Sequence, residues 1–219
     1  MTVMFWSIIE SLPFVWRGLL VTLGAAALIV SMSLVAGLLL GTIVTYAPWP
    51  ARIPVRLFSD LIRGIPILVL IFFVYYGLPV TGLNLNNFAA GVLAITLFST
   101  AQVVEITRGS LQSLHHGQME AAKAIGLSFP QRLTYVIFPQ AVRRFLPPWI
   151  NSVTDAVKGT ALLSLVGIVD LMLAIQQVIG RTYAPMPLYV LGALIYFVIN
   201  YSLSSLSRRL EARYAYIKE

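Results

Sequence analysis

Three pairs of opposite charge stand three residues apart in otherwise apolar stretches: Asp60/Arg63, Glu105/Arg108 and Asp155/Lys158. On a helix, residues at i and i+3 share a face. A charge inside a bilayer costs a few kcal/mol on insertion scales, so such residues pair with one another or line a wet cavity. The first two pairs lie within about two turns of a polar segment, where Arg can reach the interface. They read as structural braces. Asp155/Lys158 lies deeper, about 15–20 Å from the nearer end of its helix. It reads either as a third brace or as a polar point on a path through the membrane. Asn151, Thr154 and Gln102 are lesser polar candidates for that path.

Other chemistry finds little support. The chain has no Cys, which excludes disulfides and thiolate metal sites. His115 and His116 are adjacent but lack the further ligands of a zinc site, so no metal is expected. No HExxH or GxSxG pattern occurs, and no enzyme activity is expected. The G-x-x-x-x-G-K-[ST] phosphate loop does not occur either, so no ATP chemistry is expected of this chain.

The elements that must position these residues follow from composition. The 219 residues are 58% hydrophobic and 11% charged, against about 25% charged in a soluble domain. So much apolar surface cannot be covered in a soluble fold of this size. The composition points to an all-α membrane protein, each span needing roughly 20 apolar residues. Five spans are expected, at about 18–47, 57–78, 88–114, 145–167 and 188–206. Turn residues Pro79, Gly82, Asn84, Asn86 and Asn87 separate the second and third. Residues 168–187 are mixed in character. Pro66 should kink the second span and free a carbonyl. Gly37-x3-Gly41 allows close helix approach, expected within the chain rather than between copies.

Five spans place the termini on opposite sides. The net charge of +7 would suggest nucleic acid in a soluble protein; here it fits basic cytoplasmic loops instead, and no nucleic-acid partner is expected. With the tail SRRLEARYAYIKE inside, the inner side holds nearly all Lys and Arg, leaving Arg17 and Arg181 outside. The expected orientation is N-terminus out, C-terminus in. The first eighteen residues lack the pattern of a signal peptide. They read as an amphipathic segment lying in the outer interface on Phe5, Trp6, Phe14 and Trp16. No repeat or linker divides the chain, so residues 1–219 read as a single domain.

The largest inner loop, about 115–140, carries the clearest functional pattern. Gln118 to Ile125 reads as a short helix ended by Gly126 in the left-handed conformation. A second short helix is expected near Pro130. Small residues at Ala121 and Ala122 would leave a flat docking face, and Glu120 one charge for register. This loop resembles the EAA loop of ABC importer permeases, whose pattern is Glu-Ala-Ala, three residues, Gly, nine residues, Ile, any residue, Leu, Pro. Glu120, Ala121, Ala122, Gly126 and Pro139 match; Val136 stands for the Ile and Phe138 for the Leu. Arg63-Gly-Ile-Pro66, Arg108-Gly-Ser-Leu-Gln-Ser113 and Pro139-Gln-Ala141 extend the resemblance to the polar amino acid permeases of the histidine, glutamine and glutamate type. One departure falls in the fourth span, where that group often reads Lys-Asp-Thr-Ser-Leu and this chain reads Lys158-Gly-Thr-Ala-Leu162.

The resemblance implies a type I ABC importer permease fold with a periplasmic N-terminus, in a bacterial inner membrane. It implies a subunit that forms the pathway and binds no cofactor itself. Two cytoplasmic ABC ATPase subunits, with ATP and Mg, would each receive an EAA loop. A second permease subunit, copy or paralogue, and a periplasmic amino-acid-binding protein would complete the importer. The alternative, a stand-alone channel or small secondary carrier, accounts for the charged pairs but leaves the loop without a role.

Overall fold

The computed structural model describes residues 2–215. Among them there is no strand. Helix α1, Thr2–Tyr46, has 45 residues and is roughly 65–70 Å long, about twice the hydrocarbon thickness of a bilayer. The N-terminal segment is therefore the start of α1 and not a separate interfacial helix. Side chains of residues 1–8, including Phe5 and Trp6, lie outside the described ones.

Helices α2 (Trp49–Gly64), α3 (Ile67–Phe72) and α4 (Leu78–Val80) follow, with a π turn at Phe73–Gly77 between the last two. The expected second span is not one straight helix. The chain bends by 108° between Trp49–Gly64 and Ile67–Val80. Pro66 is the cause: it disfavours helical backbone at the preceding residue, and Ile65 is extended at φ −97°, ψ 131°.

Helix α5, Asn87–Gln112, starts on Asn86, whose Oδ1 accepts from Ala89 N at 2.8 Å. It is the centre of the fold: 61% of its most apolar window is buried, against 11% for the final helix. Its buried residues Ala90, Ala94 and Ile95 pack with Ile29, Ile71 and Leu163. Helix α1 crosses it closely because Gly37 and Gly41 have no side chain. A Cβ at Gly37 would meet Val103 at 2.4 Å, and one at Gly41 would meet Thr107 at 2.5 Å. The small-residue pattern thus serves packing within the chain.

After α6 (His116–Ala124), α7 (Phe129–Arg132) runs through a π turn at Leu133–Ile137 into α8 (Phe138–Gly159) and a 3₁₀ stretch at Thr160–Val166. The expected second loop helix and fourth span are therefore one rod. Both π turns have the same cause. A proline in a helix lacks its N–H and its ring strikes the carbonyl four residues back. For Pro79 and Pro139 that residue is Tyr75 and Tyr135, each inside a π turn whose wider coil moves the carbonyl aside. Phe138 N–H accordingly donates to Leu133 O, five residues back.

The rod turns by 50° into α9, Leu171–Thr182. The last helix is α10, Pro185–Ala215. Among the described residues, three helices are long and apolar enough to cross a membrane: Ile9–Tyr46, Asn87–Gln112 and Pro185–Leu210. Each bent pair adds one more if it counts as a span, for five in all.

Candidate functional site

The loop between α5 and α8 is built from local rules. His115 caps α6 by accepting from Gly117 N on Nδ1 at 3.2 Å. Gly126, at φ +83°, ends it. Leu127 N then reaches back to Ala122 O at 3.1 Å and Gly126 N to Lys123 O at 3.0 Å, satisfying the last carbonyls. Ser128 starts α7 in a capping box with Gln131, whose Oε1 accepts from Ser128 N at 2.8 Å. Glu120, Ala121 and Gly126 are exposed, whereas Ala122 is 3% exposed and turned into the protein. The outward face thus carries Glu120 and Ala121 but not Ala122. Pro139 lies at the head of α8, next to the π turn.

The loop is fastened to the rod. Gln140 Nε2 donates to Gln118 Oε1 on α6 at 3.2 Å and to Val136 O at 2.8 Å. Arg144 on α8 donates to the carbonyl of Ser113. Beneath, Leu111, Leu133, Ile137 and Ala141 form a small core with Met119 of α6 against it. Displacing α6 therefore loads α8 through both packing and hydrogen bonds. The role of Gln118 and Gln140 escaped the sequence reading, because a strut between residues far apart has no local pattern.

The charged pairs separate into two kinds. Glu105 Oε2 accepts from Arg108 Nη2 at 2.6 Å and Nε at 3.1 Å. Arg63 Nη1 on α2 lies 3.7 Å from the same oxygen. Arg108 Nη1 also donates to Gln112 Oε1 at 3.0 Å. The expected Asp60/Arg63 pair does not form: Arg63 turns to Glu105 and ties α2 to α5 instead. Asp155 and Lys158 pair as expected, at 3.3 Å, but with side chains 62% and 59% exposed.

Asn151, one turn before Asp155, is exposed beside that pair. Thr154 and Gln102 are not on this face. Thr154 is buried and its Oγ1 donates to Ile150 O at 3.0 Å. Gln102 lies between helices, its Oε1 accepting from Ser152 Oγ at 3.2 Å. The side-chain directions of a helix decide this: a step of one residue from Asp155 turns Thr154 about 100° away.

The role of a buried carboxyl group was missed. Asp170 is fully buried at the bend between rod and α9, where its Oδ1 accepts from Leu173 N at 2.9 Å. Thr22 Oγ1 of α1 accepts from Leu171 N at 3.0 Å. An Asp directly before an apolar run is an N-cap signal and would have located the start of α9.

The fold is that of a helical membrane protein, and comparison with known proteins gives its class. The chain belongs to the binding-protein-dependent transport system inner membrane component family, whose profile matches residues 33–216. It is 38% identical over 208 residues to the "probable glutamine ABC transporter permease" of Bacillus subtilis (strain 168), covering 93% of this chain and 95% of that one. It is 36% identical over 211 residues to the glutamine transport system permease of Escherichia coli (strain K12), covering 95% and 96%. Its fold matches a chain from the crystal structure of an amino acid ABC transporter with histidines, with a TM-score of 0.87 and 32% identity over 95% of this chain and 98% of that one. An inward-facing methionine ABC transporter shares the fold at 18% identity and a TM-score of 0.73. The chain therefore has the type I ABC importer permease fold and is a transport permease.

Proposed function

We propose that the chain is the pathway-forming subunit of an ATP-driven importer for polar amino acids. The observation that carries this is the exposed Glu120-Ala121 face of α6, ended by Gly126 and fastened to the α8 rod by Gln140. Such a surface can receive a push and pass it to a membrane-crossing rod as a rigid-body shift. The names of the relatives support the substrate class. The five crossings, an outer N-terminus and an inner C-terminus rest on the two bent pairs and on the Lys/Arg distribution.

In this reading the whole chain is one permease domain, and the coupling segment is 115–140. Two cytoplasmic ATPase subunits dock there and supply the ATP and Mg chemistry. A second permease subunit faces the Asn151–Asp155–Lys158 strip, since an ion pair so exposed on a membrane rod needs polar surroundings. A periplasmic binding protein delivers the amino acid. The bacterial inner membrane is the setting.

The test is purification of the tagged chain from its native membrane, followed by mass spectrometry and by uptake in vesicles. A P-loop ATPase at near-equal stoichiometry is expected, lost with Glu120→Lys. Wild-type uptake by Glu120→Lys, or a chain that emerges alone under conditions that keep other membrane complexes intact, would favour a stand-alone channel or carrier.

A further inference from the structure

Beneath the coupling loop, the ends of several elements line a half-open cavity of about 390 Å³. Tyr46 at the end of α1, Gln112 and His115 at the end of α5, Met119 of α6, and Phe129 and Arg132 of α7 line it, and no acidic residue does. Arg132 is half-buried, and its Nε is buried without a hydrogen-bond partner. None of the ion pairs among the described residues involves it. Its guanidinium lies 5.6 Å from the centre of the Phe129 ring, which Tyr46 meets edge-on at 5.8 Å. An aromatic ring, and not a carboxylate, is therefore the neighbour of this cation.

Three other polar side chains around the cavity have donors to offer, whereas Thr45 Oγ1 already donates to Gly41 O at 2.7 Å. Gln112 Oε1 already accepts from Arg108, which leaves its NH₂ to donate. His115 Nδ1 accepts from Gly117 N, so the imidazole proton sits on Nε2. Tyr46 adds a phenol. A partly buried guanidinium with no counter-charge is costly, and an anion would complete this set. The planar fork of Arg recognises carboxylate and phosphate alike. Donors arriving from several sides suit the tetrahedral oxygens of phosphate better than a flat carboxylate.

We propose that this cavity binds a phosphate group, with Arg132 as its counter-charge and Gln112, His115 and Tyr46 as further donors. The phosphate comes from a phospholipid headgroup or from free phosphate in solution; the chemistry is shared. Bound there, it joins the ends of α1 and α5 to the coupling loop and holds the loop in place.

The experiment uses the full chain in a maltoside detergent free of phosphate. Its thermal unfolding midpoint is followed against inorganic phosphate, phosphatidylglycerol, and diacylglycerol with the same acyl chains. A rise with phosphatidylglycerol alone identifies the headgroup; a rise with inorganic phosphate identifies the free anion. Either supports the site if Arg132→Gln weakens the response by about tenfold or more, the scale of one charge-assisted hydrogen bond. Arg132→Lys should lose less, and Arg209→Gln on the exposed end of α10 nothing. Should Arg132→Gln fail to fold, Tyr46→Phe is read instead, with an expected loss of about fivefold for one neutral hydrogen bond. The proposal fails if neither phosphate compound shifts the midpoint, or if diacylglycerol does as well as phosphatidylglycerol. It also fails if Arg132→Gln alters only the affinity for an ATPase subunit, since Arg132 would then belong to a protein interface. The readout is binding, so its failure leaves the transport reading intact.

Discussion

The Glu105/Arg108 and Asp155/Lys158 pairs share one acid-base spacing and sit on neighbouring helices, α5 and α8, yet they keep different company. Glu105 holds two arginines from two helices, and Arg108 reaches on to Gln112. The Asp155/Lys158 pair has only itself, with both side chains about three-fifths exposed. An i, i+3 pattern therefore reports that two charges can meet, not what they are for. A pair that recruits other elements braces the fold. A pair left facing outward on a membrane rod marks a surface that something polar must cover.

This difference can be broken from either side. Removing the centre of the first cluster should have the largest effect on folding. Glu105→Ala leaves Arg63 and Arg108 without their shared acceptor, and should cost about 2 kcal/mol. That is roughly thirtyfold in the folded-to-unfolded ratio, read by thermal or denaturant unfolding in detergent. A variant as stable as wild type would place Glu105 with the second pair.

The reverse pattern is expected at Lys158. Lys158→Ala should reduce vesicle uptake by about tenfold, the worth of one interaction of about 1.4 kcal/mol in the pathway, while stability changes by no more than about 0.5 kcal/mol, as for exposed ion pairs. Normal uptake would make this pair an idle surface bridge. Gln102→Ala sharpens the boundary between the two regions. It should lose about 1 kcal/mol of stability through the Ser152 hydrogen bond, with uptake per folded molecule unchanged. A selective loss of uptake would return Gln102 to the path. The smallest effect is expected at Asp60, which makes no ion pair with Arg63. Asp60→Asn should stay within about 0.5 kcal/mol of wild type in the same unfolding assay.

Much of this was legible before any coordinates. Gly126 as a helix stop, the Pro66 break and the close approach at Gly37 and Gly41 each follow from the backbone freedom of one residue type. The first and last long apolar stretches became α1 and α10. What spacing alone did not show has one origin. Arg63 chose Glu105 over Asp60, Thr154 turned inward and Ala122 packed under the loop because helix–helix contacts outvote spacing along one helix. The continuity of α7 and α8 through Pro139 was hidden for a related reason. Proline usually ends a helix, and at Pro139 a π turn, held by packing at Leu133 and Ile137, lets the helix continue.

By itself, then, the sequence determined the class of solvent, the helical periodicity, the breaks and the short loop helix with its glycine stop, since these depend on the chemistry of neighbouring residues. Tertiary structure decided which charges are partnered, which face of α8 stays open and which cation beneath the loop is left without a counter-charge. Those outcomes depend on what distant helices bring to the same few ångströms, and no local rule contains that distance.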